Sequence, residues 1–187
     1  MSGTWITERG EAEGCQGQAV FSGDRRYRYS LTRSWFGTGG HLVVIGLNPS
    51  TATASVNDAT IRRCAGFARR EGCTRLTMVN LFALVARNPR HLLLDGIAQV
   101  TGPGNDEQIM LACFGQGEPR KVVAAWGCRA AHPQLAPRRD RVLAMLAGYG
   151  IQLHAFGITR DGEPKHPLYL PSGTPLVPVN LALRARP

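Results

Sequence analysis

The sequence has almost no lysine. Lys121 and Lys165 are two of 22 basic residues, so arginine carries nearly all of the positive charge. Acidic residues number 13, which leaves a formal net charge of +9. A guanidinium presents a planar fork of donors matched to phosphate or carboxylate. A nucleic acid or nucleotide is therefore the expected partner class, with an arginine-biased but ordinary soluble surface as the alternative.

Other absences narrow the possibilities. The five cysteines, at 15, 64, 73, 113 and 128, form no C-x-x-C pair. An odd, scattered set argues against a disulfide scaffold and for a reducing, cytoplasmic setting. It also provides no metal-ligand spacing, so neither a metal nor another cofactor is expected. The patterns G-x-x-x-x-G-K-[ST] and G-x-G-x-x-G are both missing, which excludes the usual glycine-rich phosphate loops. No apolar run approaches the roughly 20 residues of a membrane span. The start of the chain lacks the basic and apolar regions of a signal peptide, and no membrane partner is expected.

A chain of 187 residues suits one substantial core. We expect a flexible arm over 1–17, a single domain over 18–180, a short tail over 181–187, and a monomer. Gly23-Asp24 marks a turn between extended pieces, and Tyr27, Tyr29 and Leu31 alternate with polar residues as in a strand. HLVVIG (41–46), RLTMVNLF (75–82), KVVAAWG (121–127) and IQLHAFG (151–157) read as buried strands. Helices are expected after Asn57 or Asp58, after Asn105, and from Pro137. This order predicts an α/β fold of three layers (α/β/α) around a short, mostly parallel, four-stranded central sheet.

Ligands in such sheets bind beyond the carboxyl ends of the strands. Asn48 lies there and could orient a water or an oxyanion, or simply form an Asx turn. Asn80 interrupts an apolar run; its planar donor–acceptor edge could read a base or brace backbone. Asp58 can cap a helix or act as a general base, and His166 can donate to developing negative charge. Tyr29, Phe82 and Trp126 could stack on a planar ring or belong to the core. Arg28, Arg33, Arg62 and Lys165 are the phosphate-binding candidates.

Several segments together resemble an uncharacterised bacterial domain family: YRYSLTRSW (27–35), GLNPSTA (46–52), NDATIRRC (57–64), VNLFAL (79–84), GPGND (102–106), AAWG (124–127) and GEPKHPLYLP (162–171). The likeness spans roughly 21–171. A more distant resemblance is to uracil-DNA glycosylase-like enzymes. GLNPS resembles their water-orienting loop, TMVN (77–80) their base-binding strand end, AAWG a later strand end, and KHPLYLP (165–171) their His-Pro loop. That resemblance implies a glycosylase-like α/β/α fold. It also implies that Asn48 positions water, Asn80 reads a pyrimidine-like edge, Phe82 or Tyr29 stacks, and His166 stabilises the departing base. Position 48 is Asn where the strongest uracil enzymes have Asp. The expected function is nucleobase recognition, with hydrolysis of an N-glycosidic bond if the protein is an enzyme. The alternatives are a non-catalytic nucleic-acid or nucleotide-binding module, or an unrelated small-molecule hydrolase or transferase.

Overall fold

A computed structural model describes residues 4–114 and 120–181. Of the expected tail, positions from 182 onward lie outside the described residues. In chain order the strands are β1 (Trp5–Ala12), β2 (Cys15–Ser22), β3 (Arg28–Ser34), β4 (Gly40–Gly46), β5 (Cys73–Asn80), β6 (Arg120–Ala124), β7 (Leu153–Ala155) and β8 (Val177–Val179). The helices are α1 (Ala59–Arg70), the short α2 (Ile97–Thr101), α3 (Asn105–Phe114) and α4 (Ala136–Gly148).

The expectation of a short, mostly parallel, four-stranded sheet of glycosylase type is overturned. One eight-stranded mixed sheet runs β1-β2-β3-β5-β4-β6-β7-β8. Four of its neighbouring pairs are antiparallel, and three are parallel. The strands missed lie at or near the edges. β1 is exposed along most of its length and carries Glu8, Arg9 and Glu11, so it shows no buried face to read. In β2 the buried face is Cys15, Gly17, Ala19 and Phe21, where small residues mute the period-2 signal. Residues 5–17, expected in a loose arm, thus belong to an antiparallel hairpin, paired from Trp5↔Ser22 to Ala12↔Cys15. β8 has three residues with Pro178 at its centre, tolerable because it pairs on one side only.

β4 sits at the middle of the parallel segment because it is apolar on both faces. Leu42 and Val44 join the core beneath α1, whereas Val43 and Ile45 join the core beneath α3 and α4. Asp58 caps α1, its Oδ1 accepting from the Ile61 amide at 2.9 Å. The helix buries Ile61, Cys64, Ala65, Phe67 and Ala68, at the i, i+3, i+4, i+6, i+7 spacing of a single face. The chain leaves β4 for β5 on one side and returns to β6 on the other. Such a reversal opens a crevice at the carboxyl ends of the strands.

Buried polar side chains bind the antiparallel extension to the rest. Arg33 is 1% exposed. It donates to the carbonyls of Thr53 (2.6 Å) and Val56 (3.2 Å) and to Asn57 Oδ1 (2.8 Å), fixing the segment that leads into α1. Gly17 lets that segment approach, because a Cβ there would overlap the Ala54 carbonyl oxygen. At the start of β4, the buried His41 places Nε2 2.9 Å from the Thr77 hydroxyl. Burial, with Arg120 and Arg75 nearby, pulls the His41 imidazole down to about 4.

Gly66 lies on the exposed side of α1, with open space where a Cβ would go. Gly66→Ala is expected to raise stability by about 1 kcal/mol, whereas Gly17→Ala should lower it by about 1–3 kcal/mol through overpacking. Urea unfolding measures both. His41 is neutral in the folded protein, so the unfolded chain takes up its proton first as pH falls. The contribution of His41 is complete above its ordinary value of 6.5 and is lost as pH falls toward about 4. The urea midpoint should drop across that window, and His41→Gln should flatten the fall.

Candidate functional site

The loops leaving β4 and β5 are zipped together beyond the sheet. The amides of Leu81 and Phe82 donate to the carbonyls of Gly46 (2.9 Å) and Leu47 (3.0 Å), and the Ala86 amide to that of Pro49 (3.0 Å). Asn105 Nδ2 donates to the carbonyls of Asn80 (3.1 Å) and Leu81 (3.0 Å), and Arg138 Nε to Leu81 (2.7 Å). Two buried side chains from α3 and α4 therefore hold the end of β5 in place.

Against this braced edge lies a cavity of about 620 Å³, within the usual size range of small-molecule sites. Arg28, Asn48, Asp58, Asn80, Trp126, Lys165 and His166 all line it, although they come from distant parts of the sequence. A second concavity of about 660 Å³ is lined by residues of β1–β6 together with Gln108, Leu111 and Ala112 of α3. It lies away from the strand ends where the motif residues gather.

Each lining group has a distinct state. Both Asn48 amide hydrogens are used, on the carbonyls of Pro49 (2.9 Å) and Ala86 (2.8 Å). What Asn48 can offer a ligand or water is its acceptor, Oδ1. Asn80 is 2% exposed, and its Nδ2 is buried with no hydrogen-bond partner among the described residues. Its Oδ1 lies 2.7 Å from where a Cβ at Gly46 would stand, so glycine there makes room for the amide. Asp58 is the one carboxylate among the described lining residues, with Oδ1 already capping α1.

His166 Nδ1 accepts from the Leu168 amide at 3.3 Å. In the neutral ring this places the proton on Nε2 and leaves it as the available donor. Burial lowers the His166 pKa, while the charge of Asp58 opposes the shift. Behind it, Glu163 accepts from Trp126 Nε1 at 2.8 Å and pairs with Arg139, fixing the loop that carries His166. Burial pulls Arg28 down to about 10, with Asp58 opposing and Arg33 adding to the shift.

Four expected site residues are placed elsewhere. Tyr29 is buried against Trp5 and Tyr27, with ring centroids 5.9 and 6.2 Å away. Phe82 is fully buried in the core on the α3–α4 side. Arg33 holds the segment before α1, and Arg62 pairs with Glu13 at 2.7 Å on the exposed surface. Trp126 borders the cavity, but it is 2% exposed and its indole nitrogen is committed to Glu163. Sequence reading missed Arg87, Cys128 and Arg129 in the cavity wall. Their signal was positional: each follows a strand-end motif, VNLFAL or AAWG. Tyr169, 84% exposed, stands at the wall beside His166 with ring centroids 6.3 Å apart. Among the described residues, no helix is long and apolar enough to cross a membrane, and no group of three or more His, Cys, Asp or Glu could hold a metal ion.

Asp58→Asn keeps a capping side chain but removes the charge that sustains His166 protonation. Burial lowers the His166 pKa and Asp58 opposes the shift, so the NMR titration midpoint of His166 should be lower in this variant than in the parent protein, with helix content unchanged by circular dichroism. An unmoved midpoint would show that Asp58 does not act on the imidazole.

Searches of curated proteins and of solved structures give no match. A family model, described as Protein of unknown function (DUF1643), matches residues 28–168, well over half of the chain.

Proposed function

We propose that this chain, which belongs to the DUF1643 family of proteins of unknown function, recognises a nucleobase at the strand ends and hydrolyses the N-glycosidic bond that carries it. The observation that carries this reading is the meeting of Asn48, Asn80 and His166, from three separate loops or strand ends, on one cavity. These are the residues to which the resemblance to uracil-DNA glycosylase-like enzymes assigns water, base and leaving-group roles. The basic residues Arg28, Arg87, Arg129 and Lys165 in the same wall favour a phosphorylated ligand, in nucleic acid or as a nucleotide.

The chemistry follows from the donor and acceptor inventory. Asn48 Oδ1 accepts one hydrogen of a water and aims its oxygen at the anomeric carbon. As the carbon–nitrogen bond breaks, its electron pair goes to the base, and the sugar passes through an oxocarbenium-like state. Asn80 Nδ2 and His166 Nε2 donate to the negative charge growing on the base. Asp58, beside them in the wall, takes the proton that the water loses. A base within a duplex would first have to be flipped out of its stack.

The test is release of free base from uracil-, hypoxanthine- and alkylated-base substrates. His166→Ala and Asn48→Ala should each slow release about 10²-fold or more. No release from any substrate, together with unchanged ligand binding in both variants, would sink the proposal. One observation favours a second reading, a binding module without chemistry: position 48 is an amide whose N–H groups are both committed. That reading expects binding that weakens with salt and is indifferent to Asn48→Ala.

A further inference from the structure

Two residues that line the cavity, Asn80 and Arg28, each carry a buried N–H group that no described atom of the chain accepts. One is Asn80 Nδ2. The other belongs to Arg28, which is 3% exposed and donates Nη1 to the Ala52 carbonyl at 2.6 Å while its Nε stays without a partner. An Asn amide can be turned end for end, so it alone does not fix what it meets. A guanidinium can only donate. Whatever meets Arg28 must therefore be an acceptor. Where water is excluded, an anionic acceptor gives the strongest match.

The burial of Arg28 bears on the shape of that anion. An internal phosphodiester continues as chain on both sides, so reaching a guanidinium 3% exposed would require two strand paths into the cavity. A terminal phosphate monoester is attached at one end and can enter alone. Arg87 and Arg129 are exposed cavity-wall residues, as is Lys165. Hydrated charges of that kind steer an anion inward, and a desolvated one retains it. We infer that the ligand is a free mononucleotide, with its terminal phosphate against Arg28 and its base against Asn80. This rests on the nucleobase reading for the base and on Arg28 for the phosphate. It adds a phosphate-anchoring residue and excludes a polymer as the preferred ligand.

Calorimetric titration of the full chain tests it with four probes: a nucleoside, its 5′-monophosphate, inorganic phosphate, and a single-stranded oligonucleotide of the same base. The monophosphate should bind at least tenfold more tightly than the nucleoside or the oligonucleotide. Arg28→Met should erase the advantage over the nucleoside while leaving nucleoside binding in place, and Asn80→Ala should weaken both. Should Arg28→Met fail to fold, as read by thermal unfolding, the ranking of the four probes on the parent protein decides. Equal binding of nucleoside and monophosphate, or tighter binding of the oligonucleotide, overturns the inference and leaves the base reading standing. Phosphate binding that depends on Arg28, without nucleoside binding, removes the base reading and retains the anion site. If none of the probes binds, both fall.

Discussion

The approach of the Asn80 amide to the backbone at Gly46 is the contact on which the cavity depends. β4 and β5 are parallel neighbours, and Gly46 is directly paired with Asn80. Two side chains of ordinary size could not both occupy that point. With no Cβ at Gly46, the amide fits over the strand end, and its buried nitrogen is left without a partner in a residue that lines the cavity. The surrounding hydrogen bonds reinforce the same spot from outside: the zipper from Gly46 to Pro49 and the clamps from Asn105 and Arg138. A buried polar group without a partner costs stability, so it persists where the structure around it is over-determined.

How far this was legible in the sequence depended on local signal. HLVVIG was readable as a strand because it is apolar on both faces, and Asp58 was readable as a cap because its side chain acts three residues away. The convergence of Asn48, Asn80 and His166 could be anticipated because Asn48 and Asn80 lie at the ends of strand-like runs and His166 is in the loop that follows the last of them. The hairpin of β1 and β2 was not legible. Its outer strand carries charge on an exposed edge, and its inner strand packs glycine and alanine against the segment that precedes α1. Overlooking it removed the antiparallel half of the sheet, and with it the correct fold class.

The same blind spot affected the arginines. In sequence, Arg28 and Arg33 form part of one basic cluster, yet the structure gives them different tasks. Arg33 is satisfied by three oxygens on the segment leading to α1, whereas Arg28 has a donor left over. Composition cannot distinguish a fully satisfied guanidinium from one with a buried donor left over beside a cavity, because the difference lies in which carbonyls come within reach. Tyr29 and Phe82 show the converse. Each is an aromatic residue near a motif, and each is consumed by packing.

Glu163 has a consequence for the time course of binding. It is buried, accepts from the Trp126 indole and pairs with Arg139, tying the His166 loop to the segment just after β6 and to α4. Opening that wall would break the Glu163–Arg139 pair and the indole hydrogen bond together, a costly event. Entry of the proposed ligand past the exposed Tyr169 would avoid it. Capture would then be set by encounter and residence by the grip inside, so changes in the wall would register in departure rates more than in arrival rates.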